Sequence, residues 1–139
     1  MECWMYNGEC LEHAPDEFYG FIYCITDDKG RKYWGKKAFE HNRKTKISAK
    51  RRVGRKRFEI KKIDSKWLSY WGSCRELLAY IQERGSTDGF SREIIKLCKD
   101  KASLSYWEVV TLIENDILFR KDCYNGNILG KFFKGKIQP

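Results

Sequence analysis

The chain has 139 residues, enough for one packed domain and too few for two domains of ordinary size. Hydrophobic residues make up 42% of the sequence and aromatic residues 15%, which excludes disorder throughout the chain. The formal net charge of +9 favours a polyanionic partner, nucleic acid before an acidic membrane.

The amino-terminal residues do not resemble a targeting signal. Residues 1–10 carry Glu2 and Glu9 and lack a basic start followed by an apolar run. No apolar stretch approaches the roughly 20 residues of a membrane span. The sequence therefore predicts a soluble protein that does not enter membranes and resides in the cytoplasm, the host cytoplasm if it is viral.

The six cysteines are scattered and form no Cys-x-x-Cys pair. Without a secretory signal, a disulfide framework is not expected and reduced thiols are predicted. Cys3, Cys10 and His13 cluster as zinc ligands would, but a fourth ligand is not evident.

The clearest local unit follows residues 1–19, which are expected to form a short hairpin or arm packed against the rest. Aromatic and β-branched residues from Phe21 to Thr26 predict a buried strand. A turn at residues 27–30 returns the chain as an antiparallel partner from Arg31 to Trp34. Gly35 is expected to end this strand, and residues 37–44 are expected to begin a helix.

Basic residues dominate the next segment. About half of residues 43–66 are Lys or Arg, and a run this dense in like charge repels itself unless an anion is near. The sequence predicts a solvated, mobile basic loop over residues 44–66 that supplies phosphate contacts. The residues expected to bind DNA there are Lys44, Lys46, Lys50, Arg51, Arg52, Arg55, Lys56 and Arg57.

Helices and strands alternate in the rest of the chain. Ser73 and Glu76 match a capping box that opens a helix, which Gly85 ends. Residues 90–98 form a strand-like run, residues 101–118 form the longest helical pattern, and residues 124–129 predict a turn into a last short strand. The order predicts one α+β domain over residues 1–139, with a small, mostly antiparallel central sheet flanked by helices. The main apolar stripe of the long helix is predicted at Ala102, Tyr106, Val109, Val110, Ile113 and Ile117.

Two short motifs in the first strand pair carry a resemblance to a known family. Gly20-Phe21-Ile22-Tyr23 is followed ten residues later by Tyr33-Trp34-Gly35, and Arg43 stands eight residues after Gly35. Together with Glu108 in the long helix and Asn125 after it, these residues resemble the GIY-YIG nuclease superfamily over residues 20–129. Gly35-Lys36-Lys37 and residues 67–73 look closer to a group of small stand-alone phage endonucleases.

The resemblance implies an endonuclease that hydrolyses DNA with Mg²⁺ or Mn²⁺. It implies Tyr23 as the general base to water, Tyr33 as its hydrogen-bonding partner, and a helix-borne Arg43 as the clamp on the scissile phosphate. It also implies Glu108 as the metal ligand. Asn125, with Asn127 as a rival, would orient that glutamate or a water.

The residues support this chemistry on physical grounds. A phenol with a pKa of about 10 is a poor base until a nearby cation lowers that pKa, and a metal ion, Arg43 or Lys37 could do so. Members of the family often carry His or Tyr one turn beyond the arginine, where Ile47 stands here. The proton donor to the leaving group therefore stays open among Lys37, Lys46 and a metal-bound water.

Glu108 has an argument of its own. Leu104 and Leu112 lie one helical turn to either side of it, so its carboxylate is expected to be half desolvated, which costs free energy unless a cation sits there. Magnesium needs only one or two carboxylates. The alternatives are an exposed glutamate beside two incidental leucines and, for the tyrosines, ordinary core residues.

Three hypotheses follow. The first is a metal-dependent endonuclease acting on duplex or branched DNA, with homodimer formation and a targeting protein partner left open. The second is a non-catalytic nucleic-acid binder that retains the fold and the basic loop. The third is a small zinc-stabilised adaptor that uses Cys3, Cys10 and His13.

Overall fold

A computed structural model describes residues 3–54 and 57–139. Among them, five strands form the main sheet, two form a separate ribbon, and two form a small hairpin near the carboxyl end. No helix in these two ranges is long and apolar enough to cross a membrane. In chain order the elements are β1 (Trp4–Tyr6), β2 (Glu9–Leu11), β3 (Gly20–Thr26), β4 (Lys32–Ala38), β5 (Glu40–Lys46), β6 (Phe58–Asp64), α1 (Arg75–Arg84), β7 (Ser91–Cys98), α2 (Lys101–Glu114), β8 (Asn127–Ile128) and β9 (Phe132–Phe133).

The main sheet has the strand order β2-β1-β7-β3-β4. Its neighbours are antiparallel except β1 and β7, which are parallel. Six of the seven residues of β3 are buried, as its apolar sequence predicted for a strand with neighbours on both sides. The predicted α+β class and mostly antiparallel sheet are confirmed.

The two faces of the sheet pack against different partners, because successive side chains of a strand point to opposite faces. One face presents Phe21, Tyr23 and Ile25, which pack with Trp4, Phe39, Trp67 and Leu77. The other face presents Ile22, Cys24 and Trp34, and α2 covers it with Leu104 and Leu112. The edge strand β4 therefore lies between two hydrophobic clusters.

The helix expected over residues 37–44 is wrong. The pairing of β4 with β3 continues through Lys36↔Ile22 and Lys37↔Phe21 to Ala38↔Gly20, so Gly35 does not end the strand. After the buried Phe39 the chain enters β5. Pairing with a distant strand outweighs the local helix preference, which is a weak determinant of structure.

Both ends of the predicted basic loop, residues 44–46 and 58–64, are strand instead of loop. β5 and β6 pair antiparallel from Glu40↔Asp64 to Lys46↔Phe58. The connection includes a 3₁₀ turn at Ala49–Arg51. Two of the predicted DNA-binding residues, Arg55 and Lys56, lie outside the described residues.

The two helices begin near the predicted positions but differ in detail. Ser73 does not cap α1: the N-cap residue is Cys74, without a side-chain hydrogen bond, whereas Gly85 ends the helix at φ +74° as predicted. In α2 the predicted main stripe is wrong, because Tyr106 is 62% exposed and Ile113 58% exposed. The buried residues of α2 are Leu104 and Leu112, so the strip that contains Glu108 faces the sheet.

The predicted amino-terminal hairpin is formed by β1 and β2, and Cys3 and Cys10 are joined across it by a disulfide. The expectation of reduced thiols is wrong for this pair, because the hairpin brings their Cα atoms to 5.8 Å, within the range of a disulfide. The bonded pair has no thiolate to offer zinc. In residues 3–54 and 57–139, no group of three or more His, Cys, Asp or Glu could hold a metal ion.

Candidate active site

Tyr23 and Gly35 face each other across the β3–β4 pair. A Cβ atom on Gly35 would lie 2.5 Å from the Tyr23 hydroxyl oxygen and 2.8 Å from its Cζ. The glycine thus leaves the space that the end of the Tyr23 ring occupies. Tyr33, two residues before Gly35, points to the same face, and its ring centroid lies 6.1 Å from that of Tyr23.

A third tyrosine completes a cluster on this face. The ring of Tyr70 lies edge-on to Tyr23 at 5.9 Å. Burial raises the pKa of Tyr23 well above its ordinary value, and the neighbouring Tyr33, Tyr70 and Glu108 raise it further. Burial also raises the pKa of Tyr33, although its hydrogen bond with the Ser73 hydroxyl, 3.1 Å between oxygens, acts in the opposite direction. Both phenols are therefore protonated at neutral pH in the absence of an added cation.

Lys37 belongs to this tyrosine face. Its Nζ lies 4.2 Å from the centroid of the Tyr70 ring, a cation–π contact. Burial lowers the pKa of Lys37, against a raising effect of Asp64.

A cavity of about 340 Å³ opens at the outer edge of β4, where the two faces of the sheet meet. Tyr33 enters it from one face and Glu108 from the helix on the other. Tyr23 lies behind Tyr33 and does not line the cavity. The lining residues are Tyr33, Trp34, Ser73, Cys74, Glu108, Leu112, Tyr124, Asn125, Gly126, Asn127 and Leu129.

Glu108 is the acidic residue of this cavity. Its side chain is 24% exposed and its Oε1 lies 4.0 Å from the Nζ of Lys36. Burial raises the pKa of the Glu108 carboxyl, and Lys36 partly offsets that effect. A half-buried carboxylate with one cation at the limit of ion-pair distance can accept a further positive charge.

Asn125 is buried, and both atoms of its amide bind the backbone of one residue. Its Oδ1 accepts a hydrogen bond from the Trp34 amide at 3.0 Å, and its Nδ2 donates to the Trp34 carbonyl at 2.8 Å. The side chain therefore satisfies the free edge of β4 as a neighbouring strand would. This arrangement differs from the implied role of orienting Glu108 or a water.

The segment that carries Asn125 is held in place by two further sets of contacts. The Lys32 amide donates to the Asp122 carbonyl, and the Tyr124 amide donates to the Lys32 carbonyl. The Tyr124 hydroxyl donates to the buried Asp27 carboxylate, 2.6 Å between oxygens. The wall of the cavity thus depends on the turn between β3 and β4.

The donors at this cavity suit a hard divalent cation. Glu108 offers a carboxylate, Ser73 and Tyr33 offer hydroxyl oxygens, and the pocket has room for water, the remaining ligand that Mg²⁺ prefers. No thiolate–imidazole set of the kind that zinc prefers lines this cavity.

A larger cavity, about 510 Å³, lies between residues 14–19 and the base of the β5–β6 hairpin. Its lining includes none of the sequence-predicted catalytic residues, and its charged groups are of both signs. Tyr33, Glu108 and Asn125 instead line the smaller cavity.

A comparison with family models decides the assignment. Residues 4–128 match a model described as putative endonuclease segE, GIY-YIG domain. The chain belongs to the GIY-YIG family. No curated protein and no solved structure matches it. A GIY-YIG domain is a nuclease domain, and its substrate class is nucleic acid.

The GIY-YIG cavity gathers part of the predicted set. Tyr33, Glu108 and Asn125 line it, and Tyr23 lies directly behind Tyr33. Lys37 lies on the tyrosine face beside Tyr70 rather than in the cavity. Arg43 is not borne on a helix but sits exposed in β5, paired with Lys61, and it does not line the cavity.

Three residues near this site were missed by sequence reasoning. Lys36 faces α2 and lies close to Glu108, Ser73 binds Tyr33, and Tyr70 packs on Tyr23. Lys36 could have been found, because strand alternation places it with Trp34 and opposite Lys37 once β4 is extended. Ser73 and Tyr70 belong to residues 67–73, whose resemblance to phage endonucleases was the signal for them, but the chain between β6 and α1 has no strand or α-helix that predicts where their side chains point.

Proposed function

We propose that this protein is a Mg²⁺-dependent endonuclease that hydrolyses phosphodiester bonds of DNA. The observation that carries the proposal is the cavity at the edge of β4, which brings the half-buried Glu108 carboxylate and the Tyr33 hydroxyl to one opening. Phosphodiester hydrolysis needs an activated water, neutralisation of phosphate charge and help for the leaving oxygen. The surrounding residues can be assigned to the first two of these tasks.

The paired phenols supply the base. Tyr33 is the phenol in contact with the cavity, so it would orient the attacking water, and Tyr23 behind it would take the proton of that water through Tyr33. Their raised pKa values mean that neither phenol ionises unless positive charge arrives with the substrate complex. The activity is thereby tied to cation binding.

Glu108 would hold the metal ion, with Mn²⁺ as a substitute. A bound divalent cation supplies Lewis-acid neutralisation of phosphate charge. Lys36, 4.0 Å from Glu108, adds a second positive charge at the same opening. Arg43 and Lys37 are the other cations proposed to contact the substrate phosphates, Arg43 from the exposed hairpin and Lys37 from the tyrosine face.

The first experiment compares Glu108→Gln with the parent chain on supercoiled plasmid in Mg²⁺. The parent should give nicked or linear DNA, EDTA should abolish the products, and Glu108→Gln should reduce the rate at least about a hundredfold because an amide holds a divalent cation poorly. Glu114→Gln is the matched control, since Glu114 is exposed on the same helix. Equal cutting by the parent and Glu108→Gln would remove the proposal.

The same variant separates a lost function from a lost fold. Replacing a desolvated carboxylate by a neutral amide of the same shape removes an unfavourable charge, while the lost contact with Lys36 contributes at most about 1 kcal/mol. Glu108→Gln should therefore unfold at the parental temperature or above it. An inactive variant that melts earlier would point to structural damage instead.

A non-catalytic nucleic-acid binder is the second candidate, and two observations favour it. Arg43 stands outside the cavity and the buried Ile47 occupies the place of a family His or Tyr. A binder of this kind would retain DNA affinity in Glu108→Gln, Tyr23→Phe and Arg43→Lys and would show no Mg²⁺-dependent product with any chain. Tyr33→Phe and Tyr23→Phe, each assayed against pH, then assign the base in an active protein.

A further inference from the structure

Almost all the excess positive charge of the chain lies in one hairpin. Residues 40–64 contain eleven Lys and Arg and three Asp and Glu, a net charge of +8 out of the total of +9. The other 114 residues, including those around the cavity, are together close to neutral at +1. The basic character of this protein is therefore a property of the β5–β6 hairpin and its tip.

The hairpin stands apart from the main sheet. β5 and β6 form a two-stranded sheet of their own, and most residues of both strands are exposed. Strand alternation gives the ribbon two open faces. Asn42, Lys44, Lys46, Phe58, Ile60 and Lys62 lie on one face, and His41, Arg43, Thr45, Glu59, Lys61 and Ile63 lie on the other.

The three acidic residues of the hairpin, Glu40, Glu59 and Asp64, offset only part of its positive charge. Glu40 and Asp64 face each other at its base. Glu59, which pairs with Thr45 one step from the tip end of the ribbon, contacts Arg51 at 3.3 Å and Lys61 at 3.4 Å. Glu59 is the one acid among residues 41–63, which carry eleven Lys and Arg, so the charge of this segment stays strongly positive.

Apolar side chains are interleaved with the cations on the first face. The Nζ of Lys44 lies 4.3 Å from the centroid of Phe58, and Ile60 is 70% exposed. Val53 at the tip is 84% exposed. Exposed apolar groups between lysines suit a surface that contacts both phosphates and the edges of bases.

The dimensions of the ribbon match one groove of DNA. Seven paired residues make the ribbon about 23 Å long in the direction of its strands, and its width is that of two strands. The major groove of B-form DNA is about 12 Å wide and admits a two-stranded β-ribbon, whereas its minor groove is about 6 Å wide. The major groove of A-form RNA is too deep and narrow for such an element.

We propose that the β5–β6 hairpin inserts into the major groove of duplex B-form DNA and holds the duplex for the cavity at the edge of β4. The cations of both faces and of the tip would contact the phosphates along the groove, and Phe58 and Ile60 would lie against base edges. This inference rests on the proposed function for its DNA substrate. It assigns the choice of a duplex DNA substrate to an element outside the cavity.

The first test measures binding to a short DNA duplex in EDTA, so that cutting plays no part. The triple variant Lys44→Ala, Lys46→Ala, Lys62→Ala should bind at least about tenfold more weakly and should lower the slope of log affinity against log salt by about three, roughly one for each lost phosphate contact. The matched control is Lys121→Ala, Lys131→Ala, Lys136→Ala, which removes the same charge from exposed positions outside the hairpin. All three positions of each triple are exposed, so both proteins should keep the parental melting temperature. Equal losses in the two triples would refute a specific role of the hairpin.

The second test identifies the groove. Methylation of guanine N7 places a methyl group in the major groove and should weaken binding of the parent chain at least about tenfold, with a smaller effect on the Lys44/Lys46/Lys62 triple. Netropsin, which fills the minor groove, should leave the affinity unchanged, and a duplex RNA of the same sequence should bind more weakly than DNA. Competition by netropsin without an effect of N7 methylation, or equal affinity for duplex RNA, would overturn the proposal.

The outcomes for the hairpin and for the cavity can be told apart. Cutting that depends on Mg²⁺ and Glu108 without major-groove interference would leave the proposed function standing and remove the hairpin proposal. Major-groove binding by a chain that never cuts would support the hairpin proposal and remove the proposed function.

Discussion

The fit of Tyr23 over Gly35 offers a direct test of how the paired motifs build the site. Gly35→Ala adds one methyl group, whose carbon would lie 2.5 Å from the Tyr23 hydroxyl oxygen and 2.8 Å from Cζ. Both distances are far shorter than an ordinary carbon contact of about 3.5–4.0 Å. Tyr23 is 1% exposed and packs against the rings of Trp4, Phe21 and Tyr70, so it has little room to move away.

Two opposing effects set how much stability Gly35→Ala loses. Overpacking a well-packed core costs about 1–3 kcal/mol, and the upper end applies here because the ring is confined on several sides. Alanine in place of glycine within a strand returns about 0.5–1 kcal/mol through the unfolded state, and Gly35 does not have a positive φ that alanine would strain. Gly35→Ala should therefore destabilise the protein by about 2 kcal/mol. Any activity should fall with it as the phenol pair is displaced.

Urea unfolding monitored by tryptophan fluorescence measures this effect. Gly126→Ala is the matched control, since nothing lies within 4 Å of a Cβ there, and it should be neutral or slightly stabilising. Combining Gly35→Ala with Tyr23→Phe removes the closer of the two contacts and should recover about 1 kcal/mol relative to the sum of the single changes. The packing argument is refuted if Gly35→Ala behaves like Gly126→Ala, or if the two changes are strictly additive.

Two further predictions concern the cavity wall. Asn125→Ala leaves the Trp34 amide and carbonyl without their partner and should lower the free energy of unfolding in urea by about 2–3 kcal/mol. In the control, Asn127→Ala, the lost bond is the exposed one that the Asn127 Oδ1 accepts from the Gly130 amide, and the cost should be less than about 1 kcal/mol. Equal losses would contradict the role of Asn125 at the edge of β4. Burial disfavours ionisation of Asp27, but hydrogen bonds from Tyr124, Arg31 and Lys29 outweigh burial and hold its pKa below the ordinary value of 3.8. As the pH falls, Asp27 therefore takes up its proton in the unfolded chain before it does so in the folded protein. The ionised Asp27 carboxylate stabilises the fold above pH 3.8, and this contribution is lost as the pH falls through the pKa of the folded state. Asp27→Asn should be less stable than the parent at pH 7 by about 1–3 kcal/mol, and this difference in stability should narrow as the pH is lowered toward 3. Urea midpoints measured across this pH range follow the difference. A difference that stays constant would show that the charge of Asp27 does not stabilise the fold.

The sequence was informative where one local pattern had one structural solution. The apolar run of β3, the turn at residues 27–30 and the antiparallel return through residues 32–34 were predicted correctly, because alternation and turn residues act over short distances. The flanking of Glu108 by Leu104 and Leu112 likewise predicted a half-buried carboxylate, which the structure bears out. The stripe chosen as the main apolar face of α2 was wrong because two apolar strips compete on that helix, and only the sheet decides which one is buried.

What the sequence alone determined is therefore the strand pair that carries Tyr23, Tyr33 and Gly35, the helix that carries Glu108, and the family to which these residues point. Tertiary structure decided how these parts meet. It extended β4 past Gly35, turned the basic segment into a ribbon that bears Arg43 away from the cavity, and laid Asn125 along the free edge of β4. Each of these outcomes depends on hydrogen bonds between segments distant in the chain, and such pairings leave no periodic trace in the residues that make them.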